Sequence, residues 1–283
     1  MNTATEARAG APAPAGVPTP EPLPAEALDS HCHLEMIERP VDQVLAAARA
    51  AGITRVVTIG TDLASSQWAA QRAAGHAGLY AAVAVHPNET AAAASSPEQR
   101  DEVLAQIADL ATLPRVRAIG ETGLDYYRDY ASPAAQRDWF RAHIAIAKRV
   151  GKALVIHDRD AHEDVLEILN AGGPPDKVIF HCFSGDTAMA KRCAEAGYVM
   201  SFAGNVTFSS AGALREAAAA APVDLLLAET DAPFLTPVPY RGKPNAPALV
   251  AHTVRALARI KQIPVADMCA QLMATGERMF GAR

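Results

Sequence analysis

The stretch ALVIHDRDAHEDVLEILNAGGPPDKVIFHCF, residues 153–183, carries one full unit of the pattern that decides the fold. Ala153 to Asp158 is a short apolar run with His157 near its end. Ala161 to Asn170 repeats apolar residues at helical spacing ahead of Gly172, and Val178 to Phe183 is a second apolar run that reaches His181. Strand, helix and strand of these lengths make a βα unit of a parallel sheet, whose strands are buried on both faces and therefore read as unbroken apolar runs.

The same rhythm extends in both directions. Strands are expected at Leu28 to Leu34, Arg55 to Gly60, Leu79 to His86, Val116 to Glu121, Ala153 to Asp158, Val178 to Phe183, Tyr198 to Ala203 and Leu225 to Asp231. Helical patterns lie between them, among them Val41 to Ala51, Pro133 to Val150, Ala161 to Asn170 and Thr187 to Ala196, each followed within two residues by a glycine that stops it. Eight strands with intervening helices in about 257 residues fit an α/β fold of the (β/α)8 TIM-barrel type better than an open doubly wound sheet. Gly60 is not followed by the glycines of a dinucleotide or Walker loop, so no nucleotide cofactor is indicated.

Half of the 283 residues are hydrophobic and 20% are charged, which excludes a disordered or collagenous chain. With 26 Lys and Arg against 31 Asp and Glu the formal charge is −5, which excludes a general basic coat for nucleic acid but leaves room for a local phosphate site whose positive charge a metal supplies. Four scattered cysteines without a Cys-x-x-Cys pair point to a reducing compartment, the cytoplasm. No apolar run is long enough to cross a bilayer. Residues 1–26, rich in Ala and Pro and without a leader pattern, read as a disordered tail, leaving 27–283 as a single domain.

Polar residues able to bind metal recur at the ends of the expected strands: His31 and His33, His86, Glu121, His157, His181 and Asp231. In a parallel barrel these ends share one rim, which is where such barrels carry their active sites. His31 and His33 are two apart on a strand and point the same way, and neutral imidazoles ligate Zn, Mn and related ions. Glu121 is a carboxylate able to bridge two cations. A buried, unpaired Asp231 requires a cation or a donor, and Glu229, two residues earlier on the same face, is placed either to orient a ligand histidine or to make a salt bridge inside the barrel. Arg159, Arg241 and Asn245 are candidate phosphate clamps on the same rim. Cys32 and Cys182 alternate to the other face, and His76, His143, His162 and His252 fall on helices or loops and receive no chemistry.

Six segments in order resemble the TatD-like metal-dependent hydrolases, the TatD deoxyribonuclease family of amidohydrolase-type barrels: Asp29-Ser30-His31-Cys32-His33-Leu34, Val85-His86-Pro87, Ile119-Gly120-Glu121-Thr122-Gly123-Leu124-Asp125, Ile156-His157, Phe180-His181-Cys182-Phe183-Ser184-Gly185 and Glu229-Thr230-Asp231-Ala232-Pro233-Phe234-Leu235. The resemblance implies two divalent metal ions (Mg, Mn or Zn), one held by His31, His33, Glu121 and Asp231 and the second by Glu121, His157 and His181. The chain departs from the family at Ala246, where a glutamate is usual, and at Gly276 and Glu277. The expected reaction is hydrolysis of a phosphodiester, with Asp231 accepting a proton from water, Glu121 setting the spacing of the ions, and His86, Arg159, Arg241 and Asn245 contacting phosphate. The expected partner is DNA with single-stranded or frayed ends, with no membrane and no obligate protein partner, and the resemblance implies 3′–5′ exodeoxyribonuclease activity. An amide, ester or lactone hydrolase built on the same centre, and a non-catalytic metal-stabilised scaffold, are the competing readings.

Overall fold

In a computed structural model of the chain, residues 19–282 are described. Eight parallel strands pair in sequence order into one sheet: β1 (Ala27–Cys32), β2 (Ile53–Ile59), β3 (Leu79–Val83), β4 (Val116–Asp125), β5 (Ala153–Arg159), β6 (Val178–Phe180), β7 (Val199–Phe202) and β8 (Leu226–Ala228). Helices alternate with them, and the sheet curls into the expected (β/α)8 barrel. Every residue of β3, β6, β7 and β8 is buried, as the unbroken apolar runs require. The helix Pro133–Val150 shows how the sequence sets its limits. Ser132 Oγ accepts from Ala135 N, Pro133 occupies the first turn where no N–H is needed, and Gly151 ends the helix at φ +64°.

The seam between β8 and β1 is made differently from the other seven. β8 has only three residues, and the ladder passes to the loop that follows it: Asp231 N donates to His31 O at 2.9 Å and His33 N donates to Ala232 O at 2.7 Å. The buried Asp29 carboxylate clamps this loop, receiving Thr230 N at 2.8 Å and Thr230 Oγ1 at 2.6 Å. Closing the barrel therefore also delivers Asp231 to the side of His31 and His33.

Several strand ends and the limit of the tail differ from the sequence expectation. β4 runs four residues beyond Glu121, to Asp125, while β3, β6 and β8 stop short, so that His86, His181 and Asp231 stand on loops just past their strands. The expected disordered tail lies outside the described residues as far as residue 18. Its last part, 19–26, is laid against the barrel: Leu23 is buried and donates through its N–H to Ala51 O, and the Arg255 guanidinium holds the carbonyls of Glu21 and Pro22. One leucine and a set of backbone hydrogen bonds outweigh the proline-rich composition there. Among the described residues no helix is long and apolar enough to cross a membrane.

Candidate metal centre

Every expected ligand reaches the rim at the C-terminal ends of the strands, and Glu121 is their hub. Its Oε2 faces one group: His31 Nε2 at 3.4 Å and His33 Nε2 at 3.7 Å, with Asp231 Oδ1 completing the set at 3.8 and 3.4 Å from the same two nitrogens. Its Oε1 faces another: His157 Nδ1 and His181 Nε2, both at 2.7 Å, and His86 Nε2 at 3.4 Å. One carboxylate thus turns a different oxygen to each of two imidazole clusters. His31 and His181, one from each cluster, stack with ring centroids 3.8 Å apart.

The first group fits a cation. His31 is wholly buried, yet neither of its ring nitrogens has a hydrogen-bond partner, and His33 Nδ1 is equally orphaned. Burying an imidazole lone pair without a donor is costly. Atoms 3.4 to 3.8 Å apart are poorly spaced for hydrogen bonds but suited to sharing one ion with bonds of about 2.1 Å. Three ligand trios fall within reach of a common ion: His31, His33 and Glu121; His31, His181 and Glu229; and His86, Glu121 and His157.

Neighbouring groups decide which nitrogen of each ring is free. His157 turns Nε2 to Asp125 Oδ2 at 3.1 Å, leaving Nδ1 for the centre. His181 turns Nδ1 to Glu229 Oε1 at 3.1 Å, leaving Nε2. Carboxylates that accept from the far nitrogen in this way fix the tautomer and make the near nitrogen a better ligand. His86 is set the opposite way. Asn88 N donates to its Nδ1 at 3.1 Å, so in the neutral ring Nε2 carries the hydrogen and faces the centre as a donor. In that tautomer His86 turns a donor N–H, and not a lone pair, toward Glu121.

The electrostatics follow the geometry. Burial alone would raise the Glu121 pKa, but the charges of His181 and His86 and hydrogen bonds from His157 and His181 outweigh it and hold the carboxyl well below its ordinary range. Burial likewise disfavours a charged His181, yet Glu121 and Glu229 beside it raise its pKa well above normal. The His86 pKa is lowered, chiefly by burial, against the pull of Glu121. Burial also pushes the Cys32 and Cys182 thiols well up, so neither supplies a thiolate.

The remaining phosphate-clamp candidates separate. Arg159 and Arg241 are exposed at the rim, their guanidinium carbons 4.0 Å from the centroid of the Tyr127 ring and 4.4 Å from that of Phe208, respectively. Asn245 is buried instead, and all its polar atoms are used: Nδ2 donates to Thr230 O and Phe234 O, and Oδ1 accepts from Ala246 N. It pins the loop that carries Asp231 and has nothing left for phosphate, which corrects the sequence expectation. Sequence reasoning missed Asp125, which holds His157, accepts Asn88 Nδ2 at 3.0 Å and receives the backbone N–H groups of Tyr127 and Arg128. The signal was present: Glu121, Gly123 and Asp125 alternate on one face once β4 is continued. Glu229 meets His181 Nδ1 at 3.1 Å, one contact that serves both roles its position allowed, orienting the histidine and pairing with its charge inside the barrel.

Residues 28–281 match the family described as TatD related DNase. A protein of Mycobacterium tuberculosis described as an uncharacterized metal-dependent hydrolase TatD is 46% identical over 242 residues, covering 82% of this chain and 89% of its own. A Bacillus subtilis protein described as the uncharacterized metal-dependent hydrolase YabD is 35% identical over 255 residues, covering 89% and 98%. Among solved structures, the TatD homolog YJJV of Escherichia coli superimposes with a TM-score of 0.84 at 26% identity, covering 91% of this chain and 98% of its own.

Proposed function

The chain belongs to the TatD related DNase family, and from that premise we propose that it is a metal-dependent hydrolase that cleaves phosphodiester bonds at unpaired DNA ends. The observation that carries this reading is the division of Glu121, one oxygen to each imidazole cluster, in a rim that offers both clusters to one substrate. His31, His33, Glu121 and Asp231 would hold one divalent ion, and Glu121, His157 and His181 a second, with Mg, Mn and Zn as candidates. Two such ions supply Lewis acidity, lowering the pKa of water and screening charge on a phosphoryl group.

Side chains of the chain do the rest. Asp231 is the more open of the two acids, its side chain 14% exposed against 4% for Glu121, and so is the one that meets water and takes its proton. Glu121 sets the separation between the two clusters. His86 donates from Nε2 to a phosphate oxygen or the leaving oxygen. Arg159 and Arg241, backed by aromatic rings, present guanidinium edges to flanking phosphates. The deep ligands, with His31 fully buried and Glu121 nearly so, favour a strand end over a continuous duplex. The 3′–5′ direction, action without an obligate protein partner and a cytoplasmic setting belong to the same proposal. Four free cysteines, three of them buried, suit that setting.

The test is hydrolysis of single-stranded DNA labelled at either end by protein loaded separately with Mg, Mn and Zn, with Glu121→Gln as control. Shortening from the 3′ end that Glu121→Gln abolishes is expected. Intact DNA alongside turnover of an amide or lactone panel would replace the nuclease reading with a small-molecule one.

A further inference from the structure

Six large hydrophobic side chains stand exposed among the described residues: Met36, Leu113, Tyr127, Tyr130, Phe234 and Val238. Leu113 precedes β4 and lies at the far end of the barrel. The other five follow β1, β4 or β8 and so belong to the rim that carries the metal-ligand cluster. Scattered exposed apolar residues need no explanation, but their concentration around one site does.

The aromatic members are arranged around that site. Strands run in order around the barrel, so the β4–β5 edge lies across the mouth from the β8–β1 edge. On the first side stands Tyr127, 60% exposed, with the Arg159 guanidinium 4.0 Å from its ring centroid. Arg128 lies between Tyr127 and Tyr130, at 5.5 and 5.8 Å from their rings. On the second side stands Phe234, 52% exposed, with its ring centroid 6.1 Å from that of His33. The Tyr127 platform is fixed to the centre by a single carboxylate: Asp125 accepts Tyr127 N and Arg128 N on Oδ1 while Oδ2 holds His157.

Resting on the nuclease reading, we propose that Tyr127 and Phe234 form a two-sided clamp that stacks unpaired nucleobases on either side of the phosphodiester held at the centre. Exposed rings interleaved with arginines match a ligand that alternates flat π-faces with negative charges, which is the chemistry of a single strand. A pocket for one small neutral substrate encloses its ligand instead of spreading rings over opposite sides of an open mouth. Base-paired nucleotides hide the faces these rings need, so the clamp selects unpaired strands without reading their sequence.

The test compares oligothymidylate with an abasic deoxyribose-phosphate strand of equal length on the metal-loaded enzyme, taking KM and kcat separately. Wild type favours the base-bearing strand through KM, and Tyr127→Ala and Phe234→Ala each reduce that preference about tenfold, the loss expected for one base stack. Tyr127→Phe retains the preference, as does Leu113→Ala at the far end of the barrel. The clamp is overturned if wild type treats both strands alike, or if the preference survives in both alanine variants. If wild type cleaves neither strand, the nuclease reading falls and takes the clamp with it. Cleavage that continues with an unaltered preference removes the clamp alone.

Discussion

His143 should make the protein acid-sensitive in a way that a single substitution removes. The residue is wholly buried on the helix Pro133–Val150, beneath the strand ends that carry the metal ligands. Val85 N donates to its Nε2 at 3.1 Å, and its Nδ1 faces Trp139 O at 2.8 Å and Thr122 Oγ1 at 3.1 Å. A backbone N–H pointing at Nε2 leaves no room for a proton there, and burial pushes the pKa from 6.5 down to about 4. The folded state therefore binds the proton more weakly than the unfolded chain. Stability is full above the unfolded value of 6.5 and falls as the pH drops from there toward 4. Linkage gives a loss of about 2 kcal/mol at pH 5, growing to about 3 kcal/mol below pH 4. Urea unfolding of wild type and His143→Gln at a series of pH values isolates this share, because other titrating groups are common to both. The wild-type midpoint should approach that of the variant as the pH falls. Curves that stay parallel between pH 7 and pH 5 would refute the argument. Val85 and Thr122 adjoin His86 and Glu121, so the same proton should loosen the mouth, and hydrolase activity should fall with the stability.

Three further outcomes follow from the geometry. Asp125→Asn removes the charge that orients His157 and should weaken ion binding about tenfold or more, measured by calorimetric titration, and an unchanged isotherm would show that Asp125 does not support the centre. Chelation should lower the thermal midpoint, since an ion at about a hundred times its Kd contributes about 2.7 kcal/mol to the folded state, and a melting curve indifferent to chelator would deny that the orphaned His31 nitrogens meet a cation. Gly123→Ala should destabilise the fold by about 2 kcal/mol or more, because Gly123 sits at φ +142° and a Cβ there would lie 2.1 Å from His157 O. Denaturant midpoints equal to wild type would contradict that close approach.

Periodicity alone carried the fold, because a strand buried on both faces must be apolar throughout and a helix against it must repeat near 3.6 residues. Those are local constraints, legible in a stretch such as 153–183. Residue type carried the ligand candidates for a similar reason: histidines and acids that close an apolar strand need partners, and a parallel barrel sends all such ends to one rim. Tertiary structure decided everything that depends on distance. Asn245 looks free in sequence and is consumed by carbonyls at Thr230 and Phe234, while Asp125 looks like a loop acid and turns out to hold His157. His86 and His157 are the same side chain on the same rim, yet a backbone N–H faces Nδ1 of one and a carboxylate faces Nε2 of the other, so the two rings are held in different hydrogen-bond settings. Which of two nitrogens holds a proton is a matter of a few ångströms between segments far apart along the chain, and only closure of the barrel sets those distances.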